Sequence, residues 1–426
     1  MLDLRAIRAA PDVVRASLLR RGATESAEAV PELLELDEAR REAVTLGDEL
    51  RSRRNEASKK VGASKRDGLD ATDLIREMRE VGEEIARLED TVVDSRDRIH
   101  KLLLAIPNLP LDEVQEGGEE SSEIIEEWGE PRELPFPAVA HWELGESLGI
   151  IDLSAGARLS GSGFPVLRDA GARLQRTLID WMLDLHVSEH GYRELRVPYL
   201  VTEQTLTGTG QLPKFADESY RVERDELWLI PTAEVPLTNL HRDELLAAED
   251  LPLRYTAYSP CFRREAGAAG KDTRGLLRMH QFDKVELVRY ETPARSRGAL
   301  EEMTAEAGRI LRDLGLPYRV IRLASGDLGS AAAMTYDLEV WSPGVAQWLE
   351  VSSCSTCGDY QARRANLRYR PAPGEKPEFV HTLNGSALAL PRLLVAILET
   401  YQEGDGGVMI PEPLRGRMGV DRLRAR

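Results

Sequence analysis

Apolar residues recur in an alternating 4-3 spacing through Leu74, Met78, Val81, Ile85, Leu88, Val92, Ser95, Ile99, Leu102 and Ile106, interrupted only by the serine. This is a heptad seam, whose 3.5-residue period implies a left-handed supercoil. A weaker seam precedes it, with Leu36, Ala43, Leu50 and Ala57 every seven residues and Ala39 and Leu46 between them. Gly62, Asp67 and Gly68 fall between the two seams and predict a turn. The pattern therefore predicts two long antiparallel helices over about residues 30–106, forming a hairpin arm. Later helical stretches, at about 169–190, 294–314 and 388–402, mix with strand-like runs. These runs are Glu194–Val201, Leu227–Ile230, Lys284–Tyr290, Tyr318–Leu323, Tyr336–Val340 and Gln347–Val351. They do not alternate regularly with helices, so the fold class is α+β, on an antiparallel sheet rather than βαβ units.

The 426 residues hold two or three domains at a prior of roughly 150 residues each. No run of about 18 apolar residues predicts a membrane span, and the first residues lack the apolar core of a signal peptide. Three cysteines, Cys261, Cys354 and Cys357, exclude a disulfide scaffold and point to a reducing cytoplasm. The net charge of −17 argues against a generally basic nucleic-acid coat, but the charge is uneven. Residues 51–66 carry seven cations against Glu56, a net +6 at the far tip of the arm, where contact with a polyanion is expected. Residues 112–133 carry ten acids against Arg132, among prolines and Gly117-Gly118, and read as a linker. The boundaries expected are an N-terminal domain at 1–110, an acidic linker at 111–140 and a catalytic domain at 141–426.

Common catalytic signatures find weak support. Cys354-x-x-Cys357 is half of a zinc site with no second pair, and His186 to His190 matches an H-x-x-E-H pattern at a helix end. No zinc is expected. No phosphate-binding glycine loop of the P-loop or dinucleotide type occurs. The informative stretch runs from Cys261 to Glu286 and reads as strand, glycine-rich cationic loop, strand. Arg263 in such a hairpin suits bidentate binding of a phosphate. Lys271, Arg274 and Arg278 could reach a phosphate tail, and Phe282 offers a stacking face.

Phe262-Arg-Arg-Glu265, the glycine loop, Asp272-Thr-Arg-Gly-Leu276 and His280-Gln-Phe282 are similar to motif 2 of class II aminoacyl-tRNA synthetases. In detail they resemble the seryl-tRNA synthetase family of bacterial type. Gly191 to Pro198 resembles motif 1, and Asn384-Gly385-Ser386 through Arg392 resembles motif 3. Gly208 to Phe215 and Leu229 to Pro236 resemble the serine-pocket segments, while Glu350 to Cys354 and Gly358 to Arg364 match the late ATP-site strand. Motif 3 usually has glycine where this chain has Ala387 and Pro391.

The resemblance implies a serine–tRNA ligase that makes seryl-adenylate from L-serine and ATP and passes the seryl group to tRNA(Ser), and to tRNA(Sec) where present. It implies catalytic roles for Arg263, Glu350 and Arg392. ATP binding falls to Arg263, Arg264, Glu265, Phe282, Glu350, Val351, Ser352, Ser353 and Arg392, and serine binding to Thr232, Ala233, Glu234, Arg263, Glu286 and Ser386. Glu350 and Ser353 would hold Mg2+ with the ATP. Arg51, Arg54, Lys59 and Lys60 would touch tRNA, bound across the subunits of a cytoplasmic homodimer. An alternative is a class II-like ligase loading an amino acid onto a carrier protein, but such relatives lack the long basic hairpin. For Glu286, a plain strand-face ion pair with Lys284 or Arg289 is the competing reading.

Overall fold

The computed structural model describes residues 1–266 and 274–424. The chain forms two compact units, one of Leu2–Leu19 with Ala23–Pro107, the other of Met1, Arg20–Gly22 and Asn108–Arg426.

The first unit is dominated by helices α1 (Thr24–Arg66) and α2 (Thr72–Ala105). At 1.5 Å rise per residue, α1 is about 65 Å long. All ten predicted seam positions, nine on α2 and Ile106 just after it, are buried or half-buried. On α1 the seam differs from expectation: Leu46 lies outward at 43% exposed, Ala39 is exposed, and Gly47 is buried. The step through Ala43, Gly47 and Leu50 is thus 4-3, the same phase as in α2. The basic cluster is helical through Arg66, and the turn falls at Asp67 and Gly68, two of the three expected residues, with Gly62 inside the helix.

The second unit is built on an eight-stranded sheet. Its strands are β1 (Glu123–Trp128), β2 (Arg193–Glu194), β3 (Leu253–Phe262), β4 (Gln281–Glu291), β5 (Tyr318–Arg322), β6 (Met334–Ser342), β7 (Gln347–Gly358) and β8 (His381–Ala389). They lie in the order β1-β5-β6-β7-β8-β4-β3-β2, and every pairing is antiparallel except that of β2 with β3. The expected strand Glu194–Val201 is mostly irregular: only β2 joins this sheet, and Leu200–Thr202 pairs in a separate small one. The acidic segment read as a linker contains β1, which pairs with β5 at the sheet edge.

Helices α3 (Asp169–Ser188), α5 (Ser296–Asp313) and α7 (Leu390–Thr400) contribute Leu178, Met303 and Leu394 to one core with Val285, Leu287 and Leu383 of the sheet. Two shorter helices matter below, α4 (Glu234–Thr238) and α6 (Tyr360–Ala365). Strand alternation sends Val285 and Leu287 to this core and leaves Lys284 and Glu286 on the opposite face, while Phe282 lines the cleft and also packs against the core. Gly385 is squeezed between the layers, since a Cβ there would stand 2.7 Å from Met303 Sδ. Among the described residues no helix is long and apolar enough to cross a membrane.

Candidate active site

A cleft of about 490 Å³ opens on the sheet, with Pro391 and Arg392 at the start of α7 in its wall. The long strands β4, β7 and β8 form its floor. Register sets Glu286 directly opposite Ser386, so the two meet across neighbouring strands. Of the residues singled out from sequence, Thr232, Glu234, Arg263, Glu265, Phe282, Glu286, Glu350, Val351, Ser353, Ser386 and Arg392 all line this cavity. Three do not. Arg264 is exposed, with its backbone N–H donated to Glu218 O at 2.9 Å. Ser352 is buried beneath the floor and donates to Ser386 O at 2.6 Å. Ala233 is fully buried at the start of α4.

One end of the cleft is acidic. Thr232 Oγ1 donates to Glu286 Oε2 at 2.5 Å, and Lys284 Nζ forms an ion pair with the same carboxylate. Lys284 is therefore Glu286's partner, whereas Arg289 turns to Glu302 and Glu306. That ion pair sits inside the cavity rather than on an outer strand face. Glu234 accepts from Gln361 Nε2 at 2.7 Å and from Asn384 Nδ2 at 3.1 Å. Burial, helped by the nearby Glu286 charge, pushes the Glu234 pKa up to about 7. Gln361 is itself fixed, donating to Thr209 O and accepting from Thr382 Oγ1.

The other end is cationic. The Arg263 guanidinium lies over the Phe282 ring, 5.1 Å from its centroid. Arg392, in the first turn of α7, donates to Glu350 O at 2.7 Å and to Glu350 Oε2 at 3.2 Å. Glu265 accepts from Arg278 at 2.7 Å. Beside Glu350, the Asp337 carboxyl is held well above its ordinary pKa, first by burial and then by the Glu350 charge, and its Oδ1 has no hydrogen-bond partner.

Ala387, which replaces a usual glycine, is fully buried in the core and does not line the cavity, whereas Pro391 does. Lys271 lies outside the described residues. Sequence reasoning gave no role to Gln211, Asn384 or Gln361. The alternation through Phe282, Lys284 and Glu286 was a usable signal for Lys284, but Gln361 reaches Glu234 only through tertiary packing of α6.

Along the arm, Arg51 is engaged by Asp48 and Glu89, whereas Arg54, Lys59 and Lys60 are exposed and carry no ion pair among the described residues.

Comparison with known proteins gives a consistent answer. Residues 1–110 match the seryl-tRNA synthetase N-terminal domain, and residues 219–401 match the tRNA synthetase class II core domain (G, H, P, S and T). A serine–tRNA ligase of Gemmatimonas aurantiaca is 53% identical over 98% of this chain and 99% of its own, and that of Carboxydothermus hydrogenoformans is 49% identical over 99% of each. The crystal structure of seryl-tRNA synthetase from Pyrococcus horikoshii complexed with ATP is 37% identical, with a TM-score of 0.96 over 100% of both chains. The cytoplasmic serine–tRNA ligase from Naegleria fowleri in complex with AMP is 29% identical, with a TM-score of 0.90 over 100% of this chain and 99% of that one. With the helical hairpin, the antiparallel sheet and both family domains in order along its length, the chain belongs to the seryl-tRNA synthetase family.

Proposed function

We propose that this serine–tRNA ligase forms seryl-adenylate in the cleft between its acidic and cationic ends. The observation that carries the reading is that convergence: Thr232, Glu234, Glu286 and Ser386 line one cavity together with Arg263, Phe282, Glu350 and Arg392. The Glu234 carboxylate would take the serine ammonium. Glu286 and Ser386, paired across β4 and β8, would bond its hydroxyl, so that alanine or glycine leaves buried polar groups unpaired. The serine carboxylate then attacks the α-phosphorus of ATP and diphosphate leaves. No protein nucleophile is needed; catalysis is positioning and charge neutralisation. Arg263 would sit on the α-phosphate, and on binding ATP would exchange its place over Phe282 for the adenine ring. Glu265 would bond the adenine edge, and Arg392 the terminal phosphate.

The oxygen donors at the cationic end fit a hard cation, as the partnerless Asp337 Oδ1 beside Glu350 supports. Glu350 and Ser353 would hold Mg2+, which neutralises phosphate charge. In the second step a terminal hydroxyl of the tRNA attacks the seryl carbonyl and AMP leaves. Residues 1–110 serve as the tRNA-binding domain, with Arg54, Lys59 and Lys60 on the phosphates. The tRNA lies across the two subunits of a homodimer in the cytoplasm, a compartment that three buried free cysteines support.

Pyrophosphate exchange over the twenty amino acids tests this. Serine alone should support exchange, and exchange with another amino acid in preference would overturn it.

A further inference from the structure

His141 and Glu399 are both fully buried, and neither has a part in the mechanism above. His141 opens the short helix His141–Ser147, and Glu399 lies on α7, the helix that also carries Arg392. The His141 Nε2 accepts the backbone N–H of Leu276 at 3.0 Å. That nitrogen is therefore bare, the ring proton sits on Nδ1, and Nδ1 donates to Glu399 Oε1 at 2.8 Å. Glu399 cannot offer a proton of its own, because it is an acceptor on every side. Its Oε1 also takes the His141 N–H at 2.9 Å, and its Oε2 takes the Ser342 hydroxyl and the Gly344 N–H. Burial alone would raise the Glu399 pKa, yet these bonds hold it below the ordinary carboxylate value.

The contact falls beside Gly275, near the start of the stretch described from residue 274. Gly275 has a φ of +68°, and a Cβ there would stand 2.2 Å from His141 Nε2, so the backbone is pressed against the ring. Leu276, Leu277 and Arg278, which follow Gly275, line the cleft. The Leu277 carbonyl accepts a long bond from Arg392 Nε at 3.5 Å, and Arg278 pairs with Glu265. Arg274 stacks on Trp142, beside His141, at 4.5 Å.

We infer that His141 is a positioning residue for ATP activation: oriented by Glu399, it ties the backbone at Leu276 to the helix of Arg392 and so sets Arg278 and Arg392, two cations of the cleft, in register. The inference rests on the reading of that end of the cleft as the ATP site.

Two isosteres separate this from a packing role. Glutamine at 141 places an acceptor near the position of Nε2 and keeps the bond from Leu276. Asparagine mimics only Nδ1 and loses it. In pyrophosphate exchange, His141→Asn should raise the ATP KM by about tenfold, equal to ~1.4 kcal/mol, while the serine KM stays within about twofold. His141→Gln should bring the ATP KM back to within about threefold of wild type. Equal effects of the two variants, or parallel changes in ATP and serine KM, would overturn the inference. If His141→Asn fails to fold, Glu399→Gln decides. Its amide cannot accept on both oxygens' sides, so it should show the same selective rise in ATP KM; an unchanged value overturns the inference. Wild-type protein that gives no serine-dependent exchange would instead sink the ATP-site reading itself.

Discussion

Serine affinity should depend on pH through Glu234. Its carboxyl has a pKa of about 7, against an ordinary value of 4.5. A carboxyl raised in the fold favours the protonated folded state, so its contribution to stability is complete below about pH 4.5 and is lost as the pH climbs through about 7. The shift corresponds to about 3 kcal/mol of unfavourable burial once the group ionises. A serine ammonium supplies the missing countercharge, so serine should bind the ionised form. With a midpoint near 7, the ionised fraction is ~0.9 at pH 8 and ~0.1 at pH 6. The serine KM in pyrophosphate exchange at saturating ATP should therefore rise about tenfold from pH 8 to pH 6. Serine binding at pH 7 should release about half a proton, readable by calorimetry in two buffers of different ionisation enthalpy. Glu234→Gln should raise the KM and abolish its pH slope. A serine KM that changes less than about twofold over that range, or a glutamine variant that keeps the slope, would refute the reasoning.

Other tests address the rest of the cleft and the arm. Arg263→Ala and Glu350→Ala should each cut exchange to below about a tenth of wild type, a loss above ~1.4 kcal/mol, without lowering the melting temperature; a variant retaining more has lost nothing the reaction needs. Glu286→Ala leaves Lys284 and Thr232 without their shared acceptor, and should narrow the preference for serine over alanine more than it weakens ATP binding; unchanged selectivity would remove Glu286 from serine recognition. Replacing Arg54, Lys59 and Lys60 with glutamine should leave exchange intact and lower the log–log salt slope of tRNA binding by ~0.7–0.9 for each phosphate no longer neutralised. An unaltered slope would make these cations a solvated helix face.

The long-period features were the most readable in sequence. The seam of α2 was visible residue by residue because a heptad leaves few alternatives, whereas α1 misled at Leu46, a large apolar residue that faces water while Gly47 turns inward. The cleft residues were legible as motifs, and the register of β4 against β8 gives the physical reason Glu286 and Ser386 belong together. What stayed hidden depends on tertiary approach. Nothing local marks Gln361 as the holder of Glu234, or joins His141 to a helix more than 250 residues away. The strand β1 was hidden by composition, because a run so rich in glutamate reads as unstructured until a partner edge is present.

That strand bears on how the molecule avoids sticking to its own kind. An open sheet leaves a ladder of unused backbone groups along its margin, on which a foreign strand could grow. Here the margin is β1, where Ile124 and Ile125 are about half exposed at 50% and 46%. Alone, that apolar pair on a strand with one open edge would invite fibril-like accretion. Glu123, Glu126 and Glu127 flank it within the same six residues, so any second copy arriving in register would bring like charge against like charge. The acidity of residues 112–133, more than half of the chain's net negative charge, thus surrounds this strand and acts as a gatekeeper for the sheet that carries the cleft.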